Sequence, residues 1–212
     1  MKTAAKILAI AGIGLVGLPQ ASLAEETAAQ TCDASSLSSV PGKAWSEDYG
    51  WRYDTSTSED PEQRTKENLE KRAAAYRDLV ENTSPWPTWF TPSVSILMPG
   101  TLFQMAMGPK EEQPDNWPGG FGTFDDIRTV NEVRDDLAVI WKWKKKIDRV
   151  NVYRVKEVLP VHVGPIGPQV DPDSCRLLPG RFSQFEMLVP TKDRMHYIEL
   201  VSSHPIAQDE TK

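Results

Sequence analysis

The stretch PGRFSQFEMLVP, Pro179 to Pro190, reads as a strand set between two prolines. Phe182, Phe185, Met187, Leu188 and Val189 supply its apolar content, and proline at either end stops a ladder because it has no N–H to donate. Successive side chains in a strand point to opposite faces, so Gln184 and Glu186 share one face. That face carries an amide and a carboxylate side by side, either toward water or toward a ligand.

Working outward, HYIELVSS follows as a second strand, and the two are expected to close the chain as a hairpin. Upstream, VLPVHVGPI and NVYRV read as strands, and AVIWKW alternates like one, with Trp141 and Trp143 packing the sheet. The basic run Lys144–Lys146 between the last two reads as a solvated turn. SVSIL and MPGTLFQMAM supply two more strands, and GPKEEQPDNWPGGFG is a long loop. VNEVRDDL is a short helix.

The clearest helix begins at Asp60. Asp60 can cap it, Pro61 suits the first helical position, and Glu62 favours the positive end of the helix dipole. Leu69, Ala73, Tyr76, Leu79 and Val80 form one narrow apolar stripe among charged residues, the pattern of a surface helix. SPWPTWFTP ends it with three prolines. Strands outnumber helices and long crossover helices are missing. The fold class is therefore α+β, a β-rich mixed or antiparallel sheet domain with an N-terminal surface helix. The expected organisation is a signal peptide over 1–24, a flexible or irregular arm over 25–58, the helix and Pro-rich linker over 59–92, and the β-rich domain over 93–212.

Lys2 and Lys6, the apolar run ILAIAGIGLVGL and the small residues of ASLA make an export signal, with cleavage after Ala24. That run falls short of the roughly 20 residues a bilayer span needs. No later segment is long enough, so no membrane span is expected and the protein is expected to be secreted. Formal charge is −6, and two units more negative once Lys2 and Lys6 are removed. An acidic chain is a poor nucleic-acid binder, because backbone phosphates demand clustered cations. Cys32 and Cys175 are the two cysteines, and in an exported chain they are expected to form one disulfide. His162, His196 and His204 lie apart and lack ligand spacing with the cysteines, so no metal site is expected. Asn82 opens an NTS sequon.

Four pieces in order resemble the secreted NAD glycohydrolases of the tuberculosis necrotizing toxin (TNT) type. LMPGTLFQMAMG, Leu97 to Gly108, is similar to that family's LPxGTLxDRFG strand. GGFGTF, Gly119 to Phe124, resembles its GxF segment. VYRVKEVLPVHVGPIGP, Val152 to Pro168, is similar to VYRVxxxxxVxxGxIAP. PGRFSQFEML resembles PGGGxQYxL, with Gln184 at the family's glutamine. The likeness runs from Val94 to Ile206.

The resemblance implies a compact β-rich domain with a cleft for NAD, which enters as substrate with no resident cofactor. The implied reaction is hydrolysis of the nicotinamide–ribose bond. Such a bond breaks through an oxocarbenium-like state, and an acceptor fixed near the anomeric carbon stabilises the developing charge. Gln184 is the implied catalytic glutamine. Glu186, on the same face, adds negative potential or positions water, a role the family pattern does not supply. The family's strand arginine is absent, since Gln104, Met105 and Ala106 occupy that stretch. The candidate cations for the diphosphate are Arg134, Arg128 and Arg181, and Gly180 borders the expected cleft. Two alternatives stay open. One is a secreted interaction or effector module with a degenerate site, its cleft filled by Phe182 and Met105. The other is an ADP-ribosyltransferase using Gln184 and Glu186, with Arg154 binding NAD.

Overall fold

A computed structural model describes residues 33–208. The segment read as a signal peptide, the first part of the arm and Cys32 lie outside the described residues, and with Cys32 goes the expected disulfide to Cys175. Among the described residues no helix is long and apolar enough to cross a membrane.

Two antiparallel sheets form the body. β1 (Ser93–Leu97), β5 (Leu159–Pro165), β8 (Ser183–Met187) and β3 (Phe121–Gly122) make one in that order, and β2 (Leu102–Met107), β4 (Arg149–Val155) and β9 (Ile198–Pro205) make the other. A β6–β7 ribbon, Gln169–Asp171 with Arg176–Leu178, stands apart. The two sheets are stitched where Gln104 of β2 exchanges both backbone hydrogen bonds with Thr123, at 2.9 and 3.0 Å. All named strand pairs are antiparallel, so the α+β reading holds in its antiparallel form.

The hairpin expected from PGRFSQFEMLVP and HYIELVSS does not form. β8 pairs with β5 and β3, whereas β9 pairs with β4 in the other sheet. A 3₁₀ turn over Thr191–Asp193 and the four-residue helix α3 (Arg194–Tyr197) carry the chain from one sheet to the other. AVIWKW is also not a strand. Ala138 has φ +48° and the residues after it turn back, with the Trp143 N–H donating to the Ile140 carbonyl.

Alternation decides which side of each strand is buried. Phe103, Met105 and Met107 of β2, Tyr153 and Val155 of β4, Leu159 and Val161 of β5, and Phe185 and Met187 of β8 form the main core. Phe185 is fully enclosed, edge-on to Phe103 at 5.0 Å and stacked with Phe124 at 5.1 Å. Phe185→Ala therefore removes a ring that neighbours cannot replace. It is expected to cost about 3–5 kcal/mol of stability, read from the shift of a urea unfolding midpoint.

The surface helix is present as α2 (Pro61–Glu81), capped by Asp60, whose carboxylate accepts the Glu62 N–H at 3.0 Å. Its stripe buries Tyr76, whose hydroxyl donates to the Ala34 carbonyl at 2.7 Å. The arm expected to be irregular carries a further helix, α1 (Val40–Asp48), capped by Ser39. Trp45 anchors it against Tyr76 and Tyr53. One apolar anchor and a Pro-Gly first turn give too little periodicity to mark this helix in sequence, and burial of Trp45 supplies what propensity lacks.

Candidate functional site

The approach to Gln184 is strapped down before β8 begins. Gly180 sits at φ +65°, and a Cβ there would lie 2.5 Å from the Gly167 carbonyl oxygen, so both backbone angle and space demand glycine. Its N–H donates to the Asp135 carbonyl, and the Phe182 N–H to that of Asp136. Both acceptors lie in a single π-helical turn, Glu132–Asp136, found where the short helix was expected. Ser183 follows, held by its N–H and its hydroxyl on Asp125 Oδ2 at 2.7 and 2.6 Å. Burial works to raise the Asp125 pKa, but the hydrogen bonds from Ser183 and Thr123 outweigh it and hold the carboxyl below the usual range. A folded pKa below the unfolded one means that this group stabilises the fold above about pH 4, and that the contribution is lost as pH falls through the folded value. Asp125→Ala strips three donors of their acceptor. It is expected to lower stability by about 1–3 kcal/mol in a thermal melt, and to flatten the acid limb of the profile.

Gln184 pairs with Gly164 of β5. Gly164 leaves room above it for Phe90 and Trp86, since a Cβ would meet the Phe90 ring at 2.2 Å. The Pro-rich linker between α2 and β1 therefore lies across this face. Two glutamines clasp it: Gln184 Nε2 donates to the Pro85 carbonyl, and Gln169 Nε2 to the Ser84 carbonyl at 2.5 Å. A carbonyl partner settles the amide orientation, because only the nitrogen end can donate.

Gln184 is 7% exposed and lines a cavity of about 440 Å³. That is a usual size for a small-molecule site. Gln104, Gln113, Gln169, Thr83 and Thr123 add polar groups to the walls, and Met105, Met107, Phe121 and Trp143 add apolar ones. Among the described residues no side chain donates to Gln184 Oε1. Gln104 is occupied, its Nε2 donating to Asp126 Oδ1 at 2.8 Å while its Oε1 accepts the Ile127 N–H at 2.9 Å.

The other expected site residues stand elsewhere. Glu186 shares the Gln184 face, paired with His162 and Phe121 in the ladder, but its carboxylate meets His162 Nδ1 at 3.3 Å and it is absent from the cavity wall. Arg181 donates to Asp136 at 2.5 Å, and Arg128 to Glu132 at 2.6 Å; both are exposed, and neither lines the cavity. Arg134 lies over the Trp141 ring and donates to the Val139 and Lys145 carbonyls at 2.9 and 3.3 Å. Each guanidinium has an acceptor close in sequence or in the neighbouring loop, and that pairing holds it off the cavity. Gly180 also stands outside the lining, occupied in its turn. Arg154 pairs with Glu199 across β4 and β9.

Phe182 packs instead with Ile166 and Leu178, and the cavity remains open beside Met105. Lys144, read as part of a solvated turn, is half-buried on the cavity wall. Its ammonium donates to Gln113 Oε1 at 2.6 Å. Desolvation, then repulsion from Arg149 and Arg134, lowers its pKa to about 8 against a small opposing effect of Asp148. Lys144, Gln113 and Gln169 were not legible as site residues. Only for Gln169 was there a signal, its place directly after GPIGP.

No known family profile matches the chain, and no curated protein matches it. Among solved structures, the chain is similar to Tne2 in complex with Tni2, at 18% identity and TM-score 0.46, covering 56% of this chain and 95% of that one. It is also similar to Rhs1-CT in complex with its cognate immunity protein RhsI1, at 17% identity and TM-score 0.36, covering 54% and 81%.

Proposed function

We propose that this chain is an exported, TNT-like module that binds NAD in the cavity beside Gln184 and hydrolyses it to nicotinamide and ADP-ribose. The observation that carries this reading is the Gln184 amide itself. It is pinned by its nitrogen to the Pro85 carbonyl on the wall of a cavity of about 440 Å³, with no side chain among the described residues donating to its oxygen. The four sequence pieces that resemble the TNT glycohydrolases support it, and β2, β3 and β8 bring three of them to that wall.

The chemistry asks for an acceptor fixed in advance. As the bond from the anomeric carbon to the pyridinium nitrogen breaks, its electron pair leaves with neutral nicotinamide and the ribose becomes positive. A carbonyl dipole already oriented stabilises that charge without reorganising during the reaction. Water then bonds to the anomeric carbon and its proton passes to solvent. The apolar side chains of Met105, Met107 and Phe121 keep the amide in a poorly solvated wall, where the dipole acts more strongly than in water. Transferase chemistry through Glu186 and Arg154 finds no support, because both side chains are paired away from the cavity.

Purified protein mixed with NAD is expected to release nicotinamide, followed by chromatography. Binding of NAD by calorimetry without release would leave a binding module and remove the hydrolase. Neither binding nor release would defeat the whole reading.

A further inference from the structure

The cavity has one charged wall residue, and among the described residues no carboxylate forms an ion pair with it. Among the described residues that line it, Lys144 alone carries a charge and none is acidic. Three neighbouring cations have carboxylate partners: Arg149 has Asp115 and Asp148, Lys110 has Asp115, and Lys146 has Glu112. Lys144 has a neutral amide, Gln113 Oε1, which also accepts the Gly108 N–H at 3.1 Å. An ammonium carries three donors, and among the described residues only this one has an acceptor. A partly desolvated cation without a counter-ion is costly unless something supplies the missing charge.

Further donors gather around the same point. Gln113 Nε2 donates to no protein group, and neither do the backbone N–H groups of Gly119 and Gly120 on the cavity wall, among the described residues. A Cβ built at Gly119 would lie 3.9 Å from Gln113 Nε2, so this glycine abuts the amide that holds Lys144. Arg134, by donating to the Val139 and Lys145 carbonyls, fixes the turn that presents Lys144.

We infer that Lys144 is the cationic anchor of the cavity and binds the diphosphate of a nucleoside diphosphate ligand, with Gln113 holding it in place. This rests on the NAD reading of the same site and names the group that replaces the missing strand arginine. An ammonium is a compact point charge that binds phosphate oxygens without the bidentate geometry of arginine. The charged groups facing it are Arg149 from β4 and Arg134 from the π-helical turn, which oppose its protonation, and Asp148, which favours it. Since the anion binds the protonated form, affinity is flat below the pKa of about 8 and falls about tenfold per pH unit above it.

The test uses the whole mature protein and ADP-ribose, whose diphosphate does not titrate in this range, with nicotinamide as the uncharged comparison. Lys144→Met is expected to weaken ADP-ribose at least tenfold at pH 7 and leave nicotinamide binding unchanged. Lys144→Arg is expected to restore ADP-ribose affinity and abolish its loss above pH 8, and it serves where Lys144→Met does not fold. Wild-type ADP-ribose affinity in Lys144→Met, or a pH profile in Lys144→Arg identical to wild type, would overturn the assignment. Hydrolysis of NAD with KM untouched by Lys144→Met removes this inference and spares the hydrolase. Lysine-dependent ADP-ribose binding without any hydrolysis does the reverse.

Discussion

Gln184→Ala is expected to lower the rate of nicotinamide release by about 10²–10³-fold while the protein stays folded. The amide is held in place before any ligand arrives, because its nitrogen donates to the Pro85 carbonyl and its strand pairs with Gly164 of β5. Truncation removes the acceptor and leaves the strand intact, since Phe185 and Met187 on the opposite face carry the core contacts. The lost bond to Pro85 costs about 1 kcal/mol of stability, a small shift in a thermal melt. A rate near wild type in a folded variant would remove Gln184 from the chemistry. Gln184→Asn, which keeps the amide but withdraws it by one methylene, is expected to fall between the two.

Arg149→Met is expected to destabilise the fold by about 3–5 kcal/mol, measured by urea unfolding. Arg149 is 5% exposed at the start of β4. Its guanidinium donates to the Gly108 carbonyl, to the Gln113 carbonyl at 2.5 Å, and to Asp115 Oδ1 at 3.1 and 3.2 Å. Asp115 also accepts the Asn151 amide at 3.0 Å, and its own carbonyl accepts the Tyr153 hydroxyl at 2.9 Å. One side chain thus pins the long loop after β2 to the sheet, and removing it leaves the Gly108 and Gln113 carbonyls without this donor and the Asp115 carboxylate with only Asn151 and Lys110. The Asn151 hydrogen bond, reinforced by Lys110 and Arg149 against the effect of burial, keeps the Asp115 pKa below the ordinary carboxylate value. Its contribution is therefore present above about pH 4 and is lost as pH falls through the folded pKa. In Arg149→Met the acid sensitivity of unfolding should shrink. An unchanged midpoint and an unchanged acid limb would show the loop to be held by other contacts. Gln113 sits on this loop, so the variant is also expected to loosen the ammonium of Lys144.

Those two residues differ in how visible they were. Gln184 stood out because a polar residue in an alternating strand invites a question, and because PGRFSQFEML resembles a known motif. Arg149 carried no mark, since its partners lie across a long loop, and a lone arginine beside a strand reads as surface charge.

Period-two alternation and proline punctuation by themselves determined most of the strands, and the Asp60–Pro61–Glu62 start determined α2, because these signals act within a few residues. Alternation misled at AVIWKW, where Ile140 is buried but Trp141 and Trp143 are half-exposed around a turn, one beneath Arg134 and the other on the cavity wall. Strand pairing was decided only by the tertiary structure: β8 joins β5 and β3, and β9 joins β4, because the two sheets must bury Phe185 and Phe103 against each other. The site followed the same division. Gln184 could be read along its strand, while Lys144, Gln113 and Gln169 come from separated segments that meet only when the sheets and the linker close around a common hollow. Local pattern records which face a residue occupies, and long-range packing alone decides what that face meets.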